Sequence, residues 1–311
     1  MRHARIAPMA RAAVGLAVVS LLVACTTGSG ASPVNSQGDA PGRIDVVTTT
    51  TVFADLVKHV GGDRVNVTSL VPKGGEVHTF EPRPSDLTAL ERAKVVFMNG
   101  VGLDDWMTRM LQQTATNAPV LRLGENLPGV TYITGDEGPN PHLWLNVAYA
   151  RKYVGRIADA LSAAEPAAAS VFATNAKAYD AQLATLDGWV RDRIGTIPAD
   201  HRRLVSFHDA FPYYAQAYGL TIVGVVVPAP GQDPSAGQIA ALVKAIRDAH
   251  VKAVFSEVQF SPQLAQAVAR EAGGAIVSDL YDDTVGDPPV DTYEGIIRWD
   301  TDKVVAALAP A

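Results

Sequence analysis

Short runs of β-branched and apolar residues alternate with amphipathic stretches in two separate parts of this chain, and this alternation constrains the fold. In the first part, strands are predicted at 44–48, 65–71, 94–98 and 119–123, with helices at 52–60, 86–93 and 104–114. In the second part, strands are predicted at 203–207, 221–227, 251–256 and 275–278, with helices at 238–249 and 262–272. Strands that alternate with helices of this length are typical of parallel α/β sheets.

The segment between these two parts has a different pattern. Residues 165–197 are rich in alanine, and seven apolar residues recur there at helical spacing: Val171, Tyr179, Leu183, Leu186, Trp189, Val190 and Ile194. A single helix of this length rises about 1.5 Å per residue and would run the height of a domain. The sequence therefore predicts an α/β lobe at 43–164, a rigid linker helix at 165–198 and a second α/β lobe at 199–311.

The first residues predict that the chain is exported and attached to a lipid. Three arginines precede an uncharged apolar stretch that is too short to span a bilayer and is typical of a secretory signal peptide. It ends in the sequence LVAC, which resembles the bacterial lipobox, so Cys25 is predicted to carry the lipid outside the cytoplasm. An ordinary signal peptide with a chance cysteine is the alternative. The prediction is a signal peptide at 1–24 and a flexible polar tether at 25–42.

The cysteine count and the charge exclude further classes of site and partner. Cys25 is the one cysteine, so with a lipid on it the chain has neither a disulfide nor a thiolate metal ligand. Loss of the predicted signal peptide removes three arginines and no acid, which takes the net charge from −6 to −9. An acidic chain of this kind argues against nucleic acid as a partner.

The seven histidines provide the candidates for a metal site. Four are set aside because they fall in the predicted signal peptide, at helix ends or in a polar segment: His3, His59, His250 and His201. The other three, His78, His142 and His208, fall in loops or next to strand ends, and they are divided between the two predicted lobes. Ligands of open parallel sheets bind outside the carboxyl ends of the strands. The sequence therefore predicts a metal site in the cleft between the lobes.

Three imidazoles supply three donors, so a metal that binds four donors requires one more from the protein. Zinc is bound by about four nitrogen, oxygen or sulfur donors, and an aspartate would complete the set. The acidic turn after the last predicted strand contains Asp279, Asp282 and Asp283, and Glu257 ends the preceding strand. From the residues alone, the fourth donor stays open among these acids.

Five sequence blocks resemble, in family order, the cluster A-I (cluster 9) metal-binding lipoproteins of bacterial ABC importers. They are VHTFEPRPSD at 77–86, NPHLWLN at 140–146, FHDAF at 207–211, FSEVQFS at 255–261 and LYDDTVG at 280–286. The resemblance extends from the lipobox to the C-terminal helix. It implies two parallel-sheet α/β lobes joined by a single long rigid helix, with one metal held in the cleft between them.

The resemblance also implies a ligand set with two members from each lobe: His78, His142, His208 and Asp283. Asp283 fits best because it precedes Thr-Val-Gly, Asp279 is the second choice and Asp282 fits less well. Glu257 matches a family position outside the ligand set. Asn140 stands where the family often has an aspartate, which predicts weaker hydrogen bonding to His142.

The donor types favour Zn²⁺ as the metal. Three imidazoles and one carboxylate are softer than the oxygen-rich sites that Mn²⁺ prefers, and members dedicated to manganese commonly have a glutamate where His208 stands here. We therefore predict a monomer that captures Zn²⁺, with Mn²⁺ or iron as the alternative, and delivers it to the permease and ATPase of an ABC importer. Because imidazoles bind metal only when neutral, the affinity is expected to fall below about pH 6.5.

Two other classes of function remain as alternatives. A surface metal chaperone or adhesin would use the same fold and the same residues. A secreted zinc hydrolase is disfavoured because the sequence has no His-Glu-x-x-His or Gly-x-Ser-x-Gly motif. Four protein ligands would also leave no open position for a catalytic water.

Overall fold

The computed structural model describes residues 42–135 and 138–310 of the chain. The predicted signal peptide, Cys25 and the tether up to residue 41 lie outside the described residues. The first sheet is formed by four strands: β1 (Ile44–Thr48), β2 (Val65–Ser69), β3 (Val95–Met98) and β4 (Val120–Arg122). They pair in the order β2-β1-β3-β4, and every pair is parallel. Three helices alternate with them: α1 (Thr51–Gly61), α2 (Pro84–Arg92) and α3 (Asp105–Gln113).

A connecting region follows the first sheet. It contains a short antiparallel pair, β5 (Thr134–Gly135) and β6 (Gly138–Pro139), and then two long helices, α4 (Val147–Ala164) and α5 (Ala169–Gly195). The second sheet follows, with β7 (Arg203–Ser206), β8 (Thr221–Val225), β9 (Ala253–Glu257) and β10 (Ala275–Leu280) paired in parallel as β10-β9-β7-β8. Its helices are α6 (Pro212–Tyr218), α7 (Ala236–Asp248) and α8 (Gln263–Ala272). The predicted pair of parallel α/β lobes is confirmed.

The helix α5 links the lobes and differs from its prediction in two details. It has 27 residues and begins after a 3₁₀ turn at Pro166–Ala168, because proline fits only the first turn of a helix. Its buried stripe consists of seven residues: Phe172, Ala176, Tyr179, Leu183, Leu186, Val190 and Ile194. The sequence pattern places Val171 in this stripe, but its side chain is 40% exposed. Phe172 takes the inward place because it lies seven residues, two helical turns, before Tyr179.

The buried core continues from one lobe into the other. One cluster of apolar side chains extends from the first sheet through α4 and α5 to Phe255 and Leu280 in the second sheet. The last helix, α9 (Tyr293–Leu308), packs against α5 and β10 and belongs to the same cluster. A close-packed shared core resists relative motion of the lobes. The division at 164/165 and 198/199 stays a prediction, and no helix in the described ranges has the length and apolar character needed to cross a membrane.

Candidate metal centre

His78 lies in the loop that connects β2 to α2. The preceding residue, Val77, is fully buried, and its carbonyl accepts a hydrogen bond from Trp106 Nε1 at 2.8 Å. The backbone N–H of His78 donates to Glu76 Oε1 at 2.7 Å. These contacts hold the loop on both sides of the imidazole, which is 17% exposed.

His142 begins a 3₁₀ turn at Leu143–Leu145 that leads into α4. Its side chain is buried, and its ring Nδ1 lies 3.1 Å from Asn140 Oδ1. The same oxygen accepts the backbone N–H of His142 at 3.0 Å. Since Asn140 Oδ1 is an acceptor, the hydrogen of the neutral ring belongs on Nδ1, and Nε2 keeps its lone pair for a ligand.

His208 follows β7 and is also buried. Its carbonyl accepts a hydrogen bond from Ser206 Oγ at 2.7 Å, which fixes the turn at the end of the strand. On the ring, Nδ1 lies 3.5 Å from Glu257 Oε2 and Nε2 lies 3.4 Å from Asp282 Oδ2. Glu257 therefore contacts the ring nitrogen of His208 that faces away from the other histidines.

The three candidate aspartates have different positions. Asp283 is buried in the loop after β10, and neither of its carboxylate oxygens has a hydrogen-bond partner. Asp282 is buried beside it and is held by Gln259 Nε2, which donates to Oδ1 at 2.6 Å. Asp279 is exposed, and its carbonyl accepts from Trp299 Nε1, so it does not join the group.

Four donor atoms converge in the cleft: one each from His78, His142, His208 and Asp283, all within 4.8 Å of one another. The Nε2 atom of His142 lies 3.3 Å from that of His78 and 3.3 Å from that of His208. The oxygens of Asp283 lie 3.7 Å from His78 Nε2 and 3.8 Å from His142 Nε2. A tetrahedral zinc with ligands at about 2.0–2.1 Å separates its donors by roughly 3.4 Å. The donor spacing therefore suits such an ion with small adjustments.

The histidines differ in protonation. Burial, followed by the positive charge of His208, lowers the pKa of His78 to about 3, and the same causes hold the pKa of His142 well below its usual value. Burial acts in the same direction on His208, but the carboxylate of Glu257, 3.5 Å from its Nδ1, and the charge of Asp282 raise its pKa to about 9. Two imidazoles are thus neutral at pH 7, while the third holds a proton that a metal would displace.

The acids around the histidines also depart from their usual behaviour. Burial, with the charges of Asp282 and Glu76, raises the pKa of Asp283 well above its ordinary value. Burial likewise raises the pKa of Glu76 to about 7, against the hydrogen bond from the backbone N–H of His78. A divalent ion bound among these groups would favour their ionised forms and lower both pKa values.

Glu76 is a neighbour of the centre that the sequence prediction missed. One of its oxygens binds the His78 backbone, and the other is buried without a hydrogen-bond partner. An acid two residues before a loop histidine was the only local signal for it. The centre opens to a cleft of about 740 Å³ whose lining includes all three histidines, Val101 and Pro141 from the first lobe, and Ile222 from the second.

Comparison with known proteins gives concordant results. The family described as zinc-uptake complex component A, periplasmic (ZnuA), matches residues 46–307. The chain is 30% identical over 294 residues to the manganese-binding lipoprotein MntA of Halalkalibacterium halodurans, covering 94% of this chain and 97% of that one. It is also 30% identical over 304 residues to the iron-binding protein YfeA of Yersinia pestis, covering 96% of each chain.

A solved structure supports the same relationship. The periplasmic zinc-binding protein TroA of Treponema pallidum superposes with a TM-score of 0.81 at 28% sequence identity. The superposition covers 86% of this chain and 100% of that one. The two-lobed architecture, with the lobes joined through α5, is therefore shared with a protein of known structure.

Proposed function

This chain belongs to the ZnuA family of periplasmic zinc-uptake components, and we propose that it captures Zn²⁺, in preference to Mn²⁺, through four side chains: His78, His142, His208 and Asp283. As a member of this family, it is the extracytoplasmic solute-binding protein of an ABC metal importer. The partners we propose are the permease of that importer and its cytoplasmic ATPase. Since a single chain supplies all four donors, we also propose that it acts as a monomer without an enzymatic role.

The observation that carries this proposal is the state of the four donors. Both oxygens of Asp283 are buried without a hydrogen-bond partner, and the three imidazoles direct Nε2 atoms toward one another. A buried carboxylate that lacks a partner is unfavourable by several kcal/mol unless it is neutralised or bound to a cation. A divalent ion among the four donors would satisfy all of them at once.

The preference for zinc rests on donor chemistry, because the names of the relatives include manganese, iron and zinc. Three imidazoles and one carboxylate form a borderline-soft set that suits Zn²⁺, whereas Mn²⁺ favours additional oxygen donors. Manganese is the second candidate, since Asp282 Oδ2 has no hydrogen-bond partner and lies 3.4 Å from His208 Nε2. In that case Asp282 would serve as a further oxygen ligand.

A competition titration separates the two metals. The metal-free protein is titrated with Zn²⁺ and with Mn²⁺ against chelators of known affinity, and the expected result is one zinc per chain, bound about 100-fold or more tightly than manganese. Asp282→Asn is the matched variant, because it keeps an oxygen for Gln259 but removes the charge. A manganese affinity equal to that for zinc, lost selectively in Asp282→Asn, would favour the manganese alternative.

The affinity for zinc is expected to depend on pH over a higher range than the histidine reference value indicates. His208 has its pKa raised to about 9, so the metal-free protein retains that proton at neutral pH, and zinc must displace it. The affinity should therefore fall about tenfold per pH unit as the pH decreases from about 9 toward 7. Calorimetry at pH 8 in two buffers of different ionisation enthalpy would detect the released proton. An affinity unchanged between pH 9 and pH 7 would contradict this assignment.

We also propose that Cys25 carries a lipid and becomes the first residue of the mature chain. The proposal rests on the LVAC sequence and on relatives that are named as lipoproteins. Cys25→Ala is expected to abolish metabolic labelling with a fatty acid and to leave the precursor unprocessed or the protein released from the membrane. Ser29→Ala, in the predicted tether, is the control and should label normally. Membrane attachment of Cys25→Ala equal to the parent would refute the anchor.

A further inference from the structure

We propose that Asn140 is a positioning residue that links the loop of His142 in the first lobe to the loop of His208 in the second. Through this link it sets the separation of the two histidines and, with it, the affinity for the metal. The inference rests on the proposed function of the four donors. It reverses the expectation that an asparagine at this position weakens the site.

The two ends of the Asn140 amide bind different lobes. Its Oδ1 accepts the backbone N–H of His142 at 3.0 Å and lies 3.1 Å from the Nδ1 of that ring. Its Nδ2 donates to the backbone oxygen of Asp209 at 2.6 Å and to Asp209 Oδ2 at 3.1 Å. Asp209 directly follows His208 in the chain. The buried amide therefore joins the two histidine loops on the side away from the converging Nε2 atoms.

The backbone of Asn140 is fixed as firmly as its side chain. Its N–H donates to the carbonyl of Ile133 at 2.8 Å, across the short β5–β6 pair. Its carbonyl accepts the hydroxyl of Tyr213 at 3.0 Å, and the same hydroxyl accepts the backbone N–H of Ile133 at 3.0 Å. Tyr213 lies on α6 of the second lobe and is fully buried. Asn140 is therefore attached to the second lobe through both its main chain and its side chain.

The chemistry of this position requires an amide. The His142 side presents N–H donors, and the Asp209 side presents two oxygen acceptors. A side chain must have one acceptor group and one donor group to bind both sides. Asparagine has both, a carbonyl oxygen and an NH₂ group. An aspartate would keep the bond to His142 but would direct a carboxylate at the carboxylate and carbonyl of Asp209, where like charges repel.

The link acts on the metal through geometry. The Nε2 atoms of His142 and His208 lie 3.3 Å apart, close to the donor spacing of a tetrahedral zinc site. Since each histidine belongs to a different lobe, this separation depends on contacts that cross between the lobes. Partners that orient metal-binding histidines from outside typically contribute 10–100-fold to metal affinity.

The test is a charge exchange across the link. Asn140→Asp is expected to weaken zinc binding by about 10–100-fold. The double variant Asn140→Asp with Asp209→Asn places an amide donor opposite the new carboxylate, while the backbone oxygen of Asp209 still faces it. It should therefore recover part of that loss. Asp209→Asn alone is the reference for the double variant. Asn117→Asp adds the same charge at an exposed loop position and should bind zinc like the parent.

Two binding results would overturn the inference. One is parental zinc affinity in Asn140→Asp, and the other is a double variant that binds no better than Asn140→Asp. Nitrogen NMR of the His142 ring provides a readout that general destabilisation does not change. In Asn140→Asp, the His142 ring should keep its hydrogen on Nδ1 although zinc binds more weakly. If this tautomer is lost, the weaker binding comes from the changed His142 ring, and the inference about the link between the loops is wrong. If the parent itself binds no zinc, the proposed function fails, and this is distinguishable from failure of the link.

Discussion

Replacement of His142 by alanine is expected to weaken zinc binding at least about 100-fold while the protein remains folded. Tight four-ligand zinc sites bind with about 10–16 kcal/mol, so one ligand accounts for roughly 3 kcal/mol or more, which corresponds to about 100-fold. His142 is buried, and its Nε2 lies within 3.8 Å of donors from three other residues. Water can replace the imidazole, but it offers a weaker donor without the fixed orientation that Asn140 provides.

The size of the effect should follow the burial of each histidine. His78, with 17% of its side chain exposed, is the most accessible of the three, so His78→Ala should lose less affinity than His142→Ala. His201→Ala is the matched control, because His201 is half-buried next to the carbonyl of Leu308 and away from the cleft. Chelator competition with circular dichroism as the test of folding measures all three. Parental affinity in His142→Ala would remove this residue from the ligand set.

The sequence predicted the lobes and the histidines because both depend on local patterns. Apolar runs of strand length located β1 to β4 and β7 to β10 to within a few residues. His78 and His208 follow strands of parallel sheets, so the rule that ligands bind at carboxyl ends selected them without any three-dimensional information. His59, at the end of α1, is outside the centre and stacks on Tyr179 of α5 at a centroid distance of 4.1 Å.

The choice among the aspartates could not be made from local sequence. The pairing of β10 with β9 shifts register between Val277 and Leu280, and Asp279 within this irregularity has a φ of 70°. In a regular strand, successive side chains point to opposite faces of the sheet. The left-handed backbone of Asp279 ends this alternation, so the position of an aspartate in the sequence no longer predicts which face its side chain is on. Asp279 is exposed as a result, and the two following acids are buried.

Contacts between distant residues complete the centre and are equally hidden in the sequence. Trp144 Nε1 donates to the carbonyl of Asp282 at 2.8 Å, which holds the second-lobe loop against the first lobe. Tyr293 of α9 donates its hydroxyl to the carbonyl of Trp144 at 2.6 Å. The C-terminal helix thus supports the loop of Asp283 through Trp144. Trp144 and Tyr293 fall in different predicted lobes, so the sequence gives no sign of their contact.

Asp283→Asn is expected to have opposite effects on stability with and without metal. In the metal-free protein, the Asp283 carboxyl group is buried beside Asp282, and neither of its oxygens has a hydrogen-bond partner. Replacement by a neutral amide of the same shape removes the unfavourable burial of this carboxyl group. Each unit by which the pKa is raised costs about 1.4 kcal/mol once the group is ionised. We therefore expect the metal-free variant to be more stable than the parent at neutral pH by about 1 kcal/mol or more.

The pH dependence of unfolding provides a separate test of the higher stability expected for metal-free Asp283→Asn. Because the folded-state pKa of Asp283 is raised above its unfolded value, the folded protein binds the additional proton. Its contribution therefore destabilises the fold progressively as the pH increases above about 4, the unfolded value, toward the raised folded value. The advantage of Asp283→Asn over the parent should grow over that range and be absent at lower pH. Urea unfolding in the presence of a chelator, at several pH values, measures it.

Zinc should reverse the order of the two proteins. At a free zinc concentration 1,000 times the parental Kd, binding stabilises the parent by about 4 kcal/mol. If the variant binds about 100-fold more weakly, the same zinc stabilises it by only about 1.4 kcal/mol. Zinc therefore adds more stability to the parent than the parent lacks relative to the variant without metal. The parent becomes the more stable protein, and the two unfolding temperatures cross as zinc is added. Unfolding temperatures that rise in parallel in both proteins would show that zinc does not bind through Asp283.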